Sequence, residues 1–126
     1  MFISFSLVGR IPPKKNKRNI FIRTGKVFNL PSNDYVRWQK TQSVILNRYF
    51  KHYSIKTPVN PKNITFRFYM PDNRRADLTN KAESVMDLMV DCGTMLDDAW
   101  QITGPVYLIP MGIDKKNPRV EISIEI

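Results

Sequence analysis

Between Asp77 and Cys92 the chain spells one strongly amphipathic helix, DLTNKAESVMDLMVDC, and its two sides demand different neighbours. On a wheel of about 100° per residue, Val85, Leu78, Met89, Ala82 and Met86 share one side. Glu83, Asp87, Asn80, Asp91 and Ser84 form an arc beside Asp77, with nothing apolar in it. The apolar side has to be buried on another element, which requires a sheet or a second helix. Gly93 supplies the stop at the position after the helix. A charged, solvated face with Asp77 as a cap and Asp77–Lys81 as an i,i+4 pair explains part of this pattern. It does not explain Glu83–Asp87 and Asp87–Asp91, like-charged pairs one turn apart that each cost a few tenths of a kcal/mol. Asp91 also sits at the negative end of the helix dipole, where a cation is preferred.

The rest of the chain supplies the missing neighbours. Residues 2–8 carry the aromatic and β-branched content of a strand, and Pro12-Pro13 ends it. IFIRTGKVFNL predicts a hairpin around Arg23-Thr24-Gly25-Lys26. Pro31-Ser32-Asn33-Asp34 is a helix start with Ser32 or Asn33 as N-cap. The helix then runs to about Tyr53, with Tyr35, Trp38, Val44, Ile45, Tyr49 and Phe50 as its apolar positions. Asn63–Met70 alternates as a strand, and Val106–Met111 and Arg119–Ile126 read as two closing strands around an Asp-Lys-Lys-Asn-Pro turn. The order β, hairpin, α, β, α, β, β predicts a single α+β domain over residues 1–126. Its sheet is mixed and largely antiparallel, with two main helices packed on it.

Charge is segregated along this order. Residues 1–56 hold twelve Lys/Arg and one acid, Asp34, while seven of the eleven carboxylates fall between Asp72 and Asp98. The basic part suits a polyanion, and the acidic window repels one unless cations intervene. Lys14, Lys15, Lys17, Arg18 and Arg23 crowd the Pro-Pro turn and are expected to contact the phosphates of a nucleic acid. Arg74 and Arg75 directly precede the acidic helix and bring two more cations to the rim of its site. The lone Cys92 excludes an internal disulfide framework and a thiolate zinc cluster, and points to a reducing, cytoplasmic setting. No apolar run is long enough for a membrane span, and MFISFSLVGR reads as a strand, not a leader.

Past the glycine stop, Leu96-Asp97-Asp98 adds two adjacent acids. A turn there brings them back toward Asp77. Converging carboxylates raise one another's pKa and ionise together only beside a cation. Hard oxygen ligands select Mg²⁺, with Mn²⁺ as a substitute. Such an ion activates water for phosphodiester hydrolysis. His52, the one histidine, is read as structural, and Cys92 as core.

Pro71-Asp72-Asn73-Arg74-Arg75-Ala76-Asp77-Leu78-Thr79-Asn80-Lys81-Ala82-Glu83, continued by Asp87-Leu88 and by Gly93 and Leu96-Asp97-Asp98, resembles the signature of the RusA family of Holliday-junction resolvases. Pro12-Pro13 followed by Asn16 is similar to the family's N-terminal turn. The resemblance covers essentially the whole chain and is nearest to phage and prophage members. It implies a homodimeric, Mg²⁺-dependent endodeoxyribonuclease that cuts paired strands at four-way DNA junctions in recombination and repair. By position, Asp77 and Asp98 are then metal ligands, with Asp97 beside them and Asn80 supporting the helix. Two departures stand out: Thr79 replaces a second Asp, and Glu83 replaces a lysine. Glu83 is expected to take over the missing carboxylate's role, with Asp87 behind it. The rival is a non-catalytic, dimeric DNA-binding protein derived from such a nuclease. An RNA-directed domain using Phe21, Phe28 and Tyr35 for stacking, or a ribosomal-type basic protein, accounts for less.

Overall fold

The computed structural model describes residues 1–12, 19–23, 26–30 and 33–126. Along them run β1 (Phe2–Val8), β2 (Asn19–Arg23), β3 (Lys26–Leu30), α1 (Asn33–His52), β4 (Asn63–Met70), α2 (Leu78–Asp91), α3 (Trp100–Thr103), β5 (Val106–Ile113) and β6 (Arg119–Glu125). Three strands alternate with period two, and this sets the core. β1 buries Ile3, Phe5 and Leu7, β4 buries Ile64, Phe66 and Phe68, and β6 buries Val120, Ile122 and Ile124. Register lines these up across the sheet as Ile3–Ile124–Ile64, Phe5–Ile122–Phe66 and Leu7–Val120–Phe68. The exposed partners on β1 include Phe2 and Val8, which belong to the other face of the strand.

The four-stranded sheet has the order β1-β6-β4-β5, and β2 and β3 form a separate antiparallel hairpin. β6 pairs antiparallel with both β1 and β4. β5 runs parallel to β4, so β4–α2–α3–β5 is a crossover that lays α2 over the sheet. The closing strands are therefore not a hairpin: β5 and β6 lie on opposite sides of β4, and Asp114–Pro118 crosses from one to the other. Asp114 organises that turn by accepting the Asn117 amide at 3.2 Å and the Arg119 guanidinium at 3.0 Å. The domain is thus α+β with a mixed, mostly antiparallel sheet and packed helices.

α1 buries Tyr35, Trp38, Gln42, Leu46 and Phe50, a spacing of three or four residues that keeps one stripe on the core. Val44 and Ile45, expected on that stripe, are exposed, and Gln42 and Leu46 lie there instead. The helix leans on β1, with the Phe5 ring 5.6 Å from Tyr49 and 5.9 Å from Phe50, and the Tyr49 hydroxyl donates to the Ser4 carbonyl. α2 contributes Ala82, Val85, Leu88 and Met89 to the same core and packs against α1 and β5. It ends as expected: Cys92 is the C-cap, and Gly93 follows at φ 77°.

Leu46→Ala is expected to destabilise the fold by about 2–5 kcal/mol, whereas Val44→Ala changes it by less than about 0.5 kcal/mol. Urea unfolding of the two variants beside the parent checks the pair.

Candidate active site

α2 starts where the backbone of Asp77 turns extended, at φ −99° and ψ 108°. The Asp77 side chain fills the N-cap role: its Oδ1 accepts the Thr79 amide at 3.0 Å and the Thr79 hydroxyl at 2.5 Å. That hydroxyl first, and the Thr79 and Asn80 amides after it, hold the Asp77 carboxyl below the ordinary carboxylate range. Thr79 thus works for Asp77. A second carboxylate in its place would face Asp77 as a like charge.

One open cleft beside α2 is lined by Thr79, Glu83 and Asp98, with Ala82, Met86, Val106 and Leu108 as its apolar part. The turn after α2 therefore carries Asp98 back to the helix's first two turns. Burial, then Asp97 and then the charge of Asp87, pushes the Asp98 carboxyl above its ordinary value. Asp97 also accepts the Asp98 amide at 2.8 Å, which fixes the pair's backbone. Asp77 does not line this cleft; with Arg75, Ala76 and Leu78 it borders a neighbouring opening. Among the described residues, no three of Asp, Glu, His and Cys gather into a group able to hold a metal ion. The two carboxylates of the cleft are what a hard cation would find, and two suit an ion that keeps most of its water.

The acidic side of α2 is less solvated than the helical wheel suggests, because tertiary contacts cover much of it. Ser84 is fully buried, and its hydroxyl donates to the Pro12 carbonyl at 2.9 Å. Lys81 does not pair with Asp77; its ammonium donates to the Ile11 carbonyl at 3.1 Å. Burial, and then nearby Arg10, lowers the Lys81 pKa. Asp91 accepts the Gln39 amide of α1, and buried Tyr35 of α1 is pushed above the ordinary tyrosine range by burial and then by Asp87 and Asp91. The half-buried carboxylates of Glu83 and Asp87 thus belong to a packed helix.

Of the expected DNA-binding cations, Lys14, Lys15, Lys17 and Arg18 lie outside the described residues, as does the side chain of Arg23. Arg74 and Arg75 are exposed at the approach to α2, and Arg75 borders the opening beside Asp77. Sequence reasoning missed Arg10. Its guanidinium meets Asp72 at 2.7 Å, and Asp72 also accepts the Arg74 amide at 3.0 Å. No local pattern could have paired Arg10 with Asp72, since 62 residues separate them. Together Arg10, Arg74 and Lys81 put three cations around the single carboxylate Asp72, a surplus suited to phosphate. His52 ends α1 in the open, its ring edge-on to Tyr53 at 4.8 Å.

Two outcomes follow from these contacts. Asp77→Ala removes the cap and is expected to lower the melting temperature by a few degrees, while Asp77→Asn, itself a good cap, retains most of it. Thermal unfolding followed by circular dichroism separates them. The Asp72 carboxyl is held below its ordinary value by the Arg74 amide and then by Arg10. Its contribution is therefore present above the unfolded carboxylate pKa and is lost as pH falls through the lower folded value. Asp72→Asn is expected to lower the melting temperature by a few degrees at most at neutral pH. As pH falls through that lower folded value, the parent's carboxyl protonates too and the difference shrinks. Set against protein-family models and against curated protein sequences, the chain matches none.

Proposed function

We propose that this chain is a Mg²⁺-dependent endodeoxyribonuclease acting on branched DNA, similar to the RusA family, and that it works as a homodimer. The observation that carries this is the cleft shared by Glu83 and Asp98, in which burial first, and then Asp97 and Asp87, raise the proton affinity of Asp98. Carboxylates crowded in this way lower their energy by sharing a cation, and hard oxygens suit Mg²⁺. When bound, such an ion supplies an activated water and charge screening at the scissile phosphate. Glu83 and Asp98 would hold it, Asp97 would orient Asp98, and Asp77 would set the start of α2 through its cap. Arg74, Arg75 and Arg10 would hold the flanking phosphates as charge-assisted donors. Two symmetric incisions at a four-way junction call for two sites. The edge strand β5, with Tyr107, Ile109, Met111 and Ile113 exposed, gives a second copy an apolar surface to meet.

A second reading has its own support. Asp77 is engaged as a cap by Thr79, and the described residues hold no three-carboxylate group. A dimeric DNA-binding protein that no longer cuts fits those two facts.

Cleavage of a labelled synthetic four-way junction, with and without Mg²⁺, decides between them. The parent chain is expected to give paired, metal-dependent nicks. Asp98→Asn and Glu83→Gln should each slow them roughly a hundredfold or more, with junction binding retained. Tight binding without cutting in either Mg²⁺ or Mn²⁺ would hand the case to the binding protein.

A further inference from the structure

Trp100 opens α3 two residues after Asp98 and is 77% exposed, while the chain's other tryptophan, Trp38, is 9% exposed. Leaving an indole in water forgoes one of the largest apolar gains available to a side chain. Nothing in its local backbone suggests a loose segment. The Ile102 and Thr103 amides donate to the Ala99 carbonyl at 2.9 and 3.0 Å, and the Gly104 amide donates to the Trp100 carbonyl at 3.1 Å. Gly104, at φ 63°, lets the end of α3 press on the chain ahead of β4. A Cβ there would lie 2.3 Å from the Lys62 carbonyl oxygen. The exposed indole is thus mounted on a short, firmly seated turn that begins two residues after Asp98, one of the acids lining the cleft. Leu96, 65% exposed, flanks the acid pair on its other side.

The electrostatics around Trp100 narrow what it can bind. Asp97 and Asp98 repel a phosphate that arrives without a cation. A nucleobase carries no net charge, and its flat face stacks on an indole whatever its identity. Presenting a base to the protein costs least where its pairing or stacking is already weakened, and at a branch point the strands exchange their stacking partners.

We infer that Trp100 stacks on an unpaired or unstacked base of bound DNA and so holds the strand across the Glu83–Asp98 cleft. This rests on the DNA-directed reading above, and one experiment separates the two. Of the two tryptophans, Trp38 is buried in the core and Trp100 is exposed, so a change in emission when DNA arrives reports chiefly on Trp100. A fluorescein-labelled four-way junction is titrated while its anisotropy and the tryptophan emission are followed together. Parent protein without divalent cation, and Asp98→Asn with Mg²⁺, keep the DNA whole. Binding is expected to quench Trp100. Trp100→Ala should weaken it roughly tenfold or more, and Trp100→Phe should restore most of the loss. A melting temperature unchanged in Trp100→Ala excludes a folding defect.

Anisotropy that rises with no change in tryptophan emission, or Trp100→Ala binding as tightly as the parent, overturns stacking and leaves DNA binding intact. A quench that follows protein concentration without DNA overturns it in favour of a contact between copies. No binding of the junction by the parent chain overturns both readings.

Discussion

Burial of one face of the β1–β6–β4 sheet is the interaction on which every other feature depends. Nine side chains meet there in three cross-strand rows, and each contributes about 1.5–3 kcal/mol relative to exposure. α1 closes the row above β1 through Phe5, Tyr49 and Phe50. α2 closes it through Val85, Leu88 and Met89, all fully buried. Those same three residues fix the rotation of α2 about its axis, and hence the direction in which Glu83 points. The position of the cleft is in this sense a property of the core.

The acidic helix holds charge in a place that packing would otherwise reserve for neutral groups. Ser84 and Lys81 anchor it to the Ile11 and Pro12 carbonyls, and Gln39 anchors its far end at Asp91. These contacts tie both ends of α2 to the rest of the domain. The meeting of Glu83 and Asp98 in one cleft is the physical reason to look for a cation and an anionic substrate there.

Much of this was legible in the sequence, and the misses share a cause. Clean alternation marked Asn63–Met70, a 3.6-residue period with a glycine stop marked α2, and the Leu96-Asp97-Asp98 run marked the acid that returns to it. These are local signals, written within a few residues. What local reading could not supply was tertiary: the parallel pairing of β5 with β4, the Arg10–Asp72 contact, and Lys81 turning to Ile11 and away from Asp77. The stripe on α1 was misjudged because Gln42 is polar and Val44 apolar. The packing of Tyr35, Trp38 and Leu46 determines the phase, and the two residues between follow it. The short α3 left no periodicity to detect.

The place of β6 in the sheet has a consequence for how the chain acquires its shape. It follows every other element described, yet among the described strands it alone is paired on both sides by antiparallel neighbours, β1 and β4. Until it emerges, β1 has no partner in the main sheet and β4 has only β5. The N-terminal strand must then wait for a segment more than a hundred residues away, as in Ile3 meeting Ile124. Closing so long a loop is entropically slow. During that wait the apolar faces of both strands stay open to other chains. The proposed cleft lies on α2 and β5, and both rest on the core that β6 completes, so the last strand of the chain also fixes the place of its carboxylates.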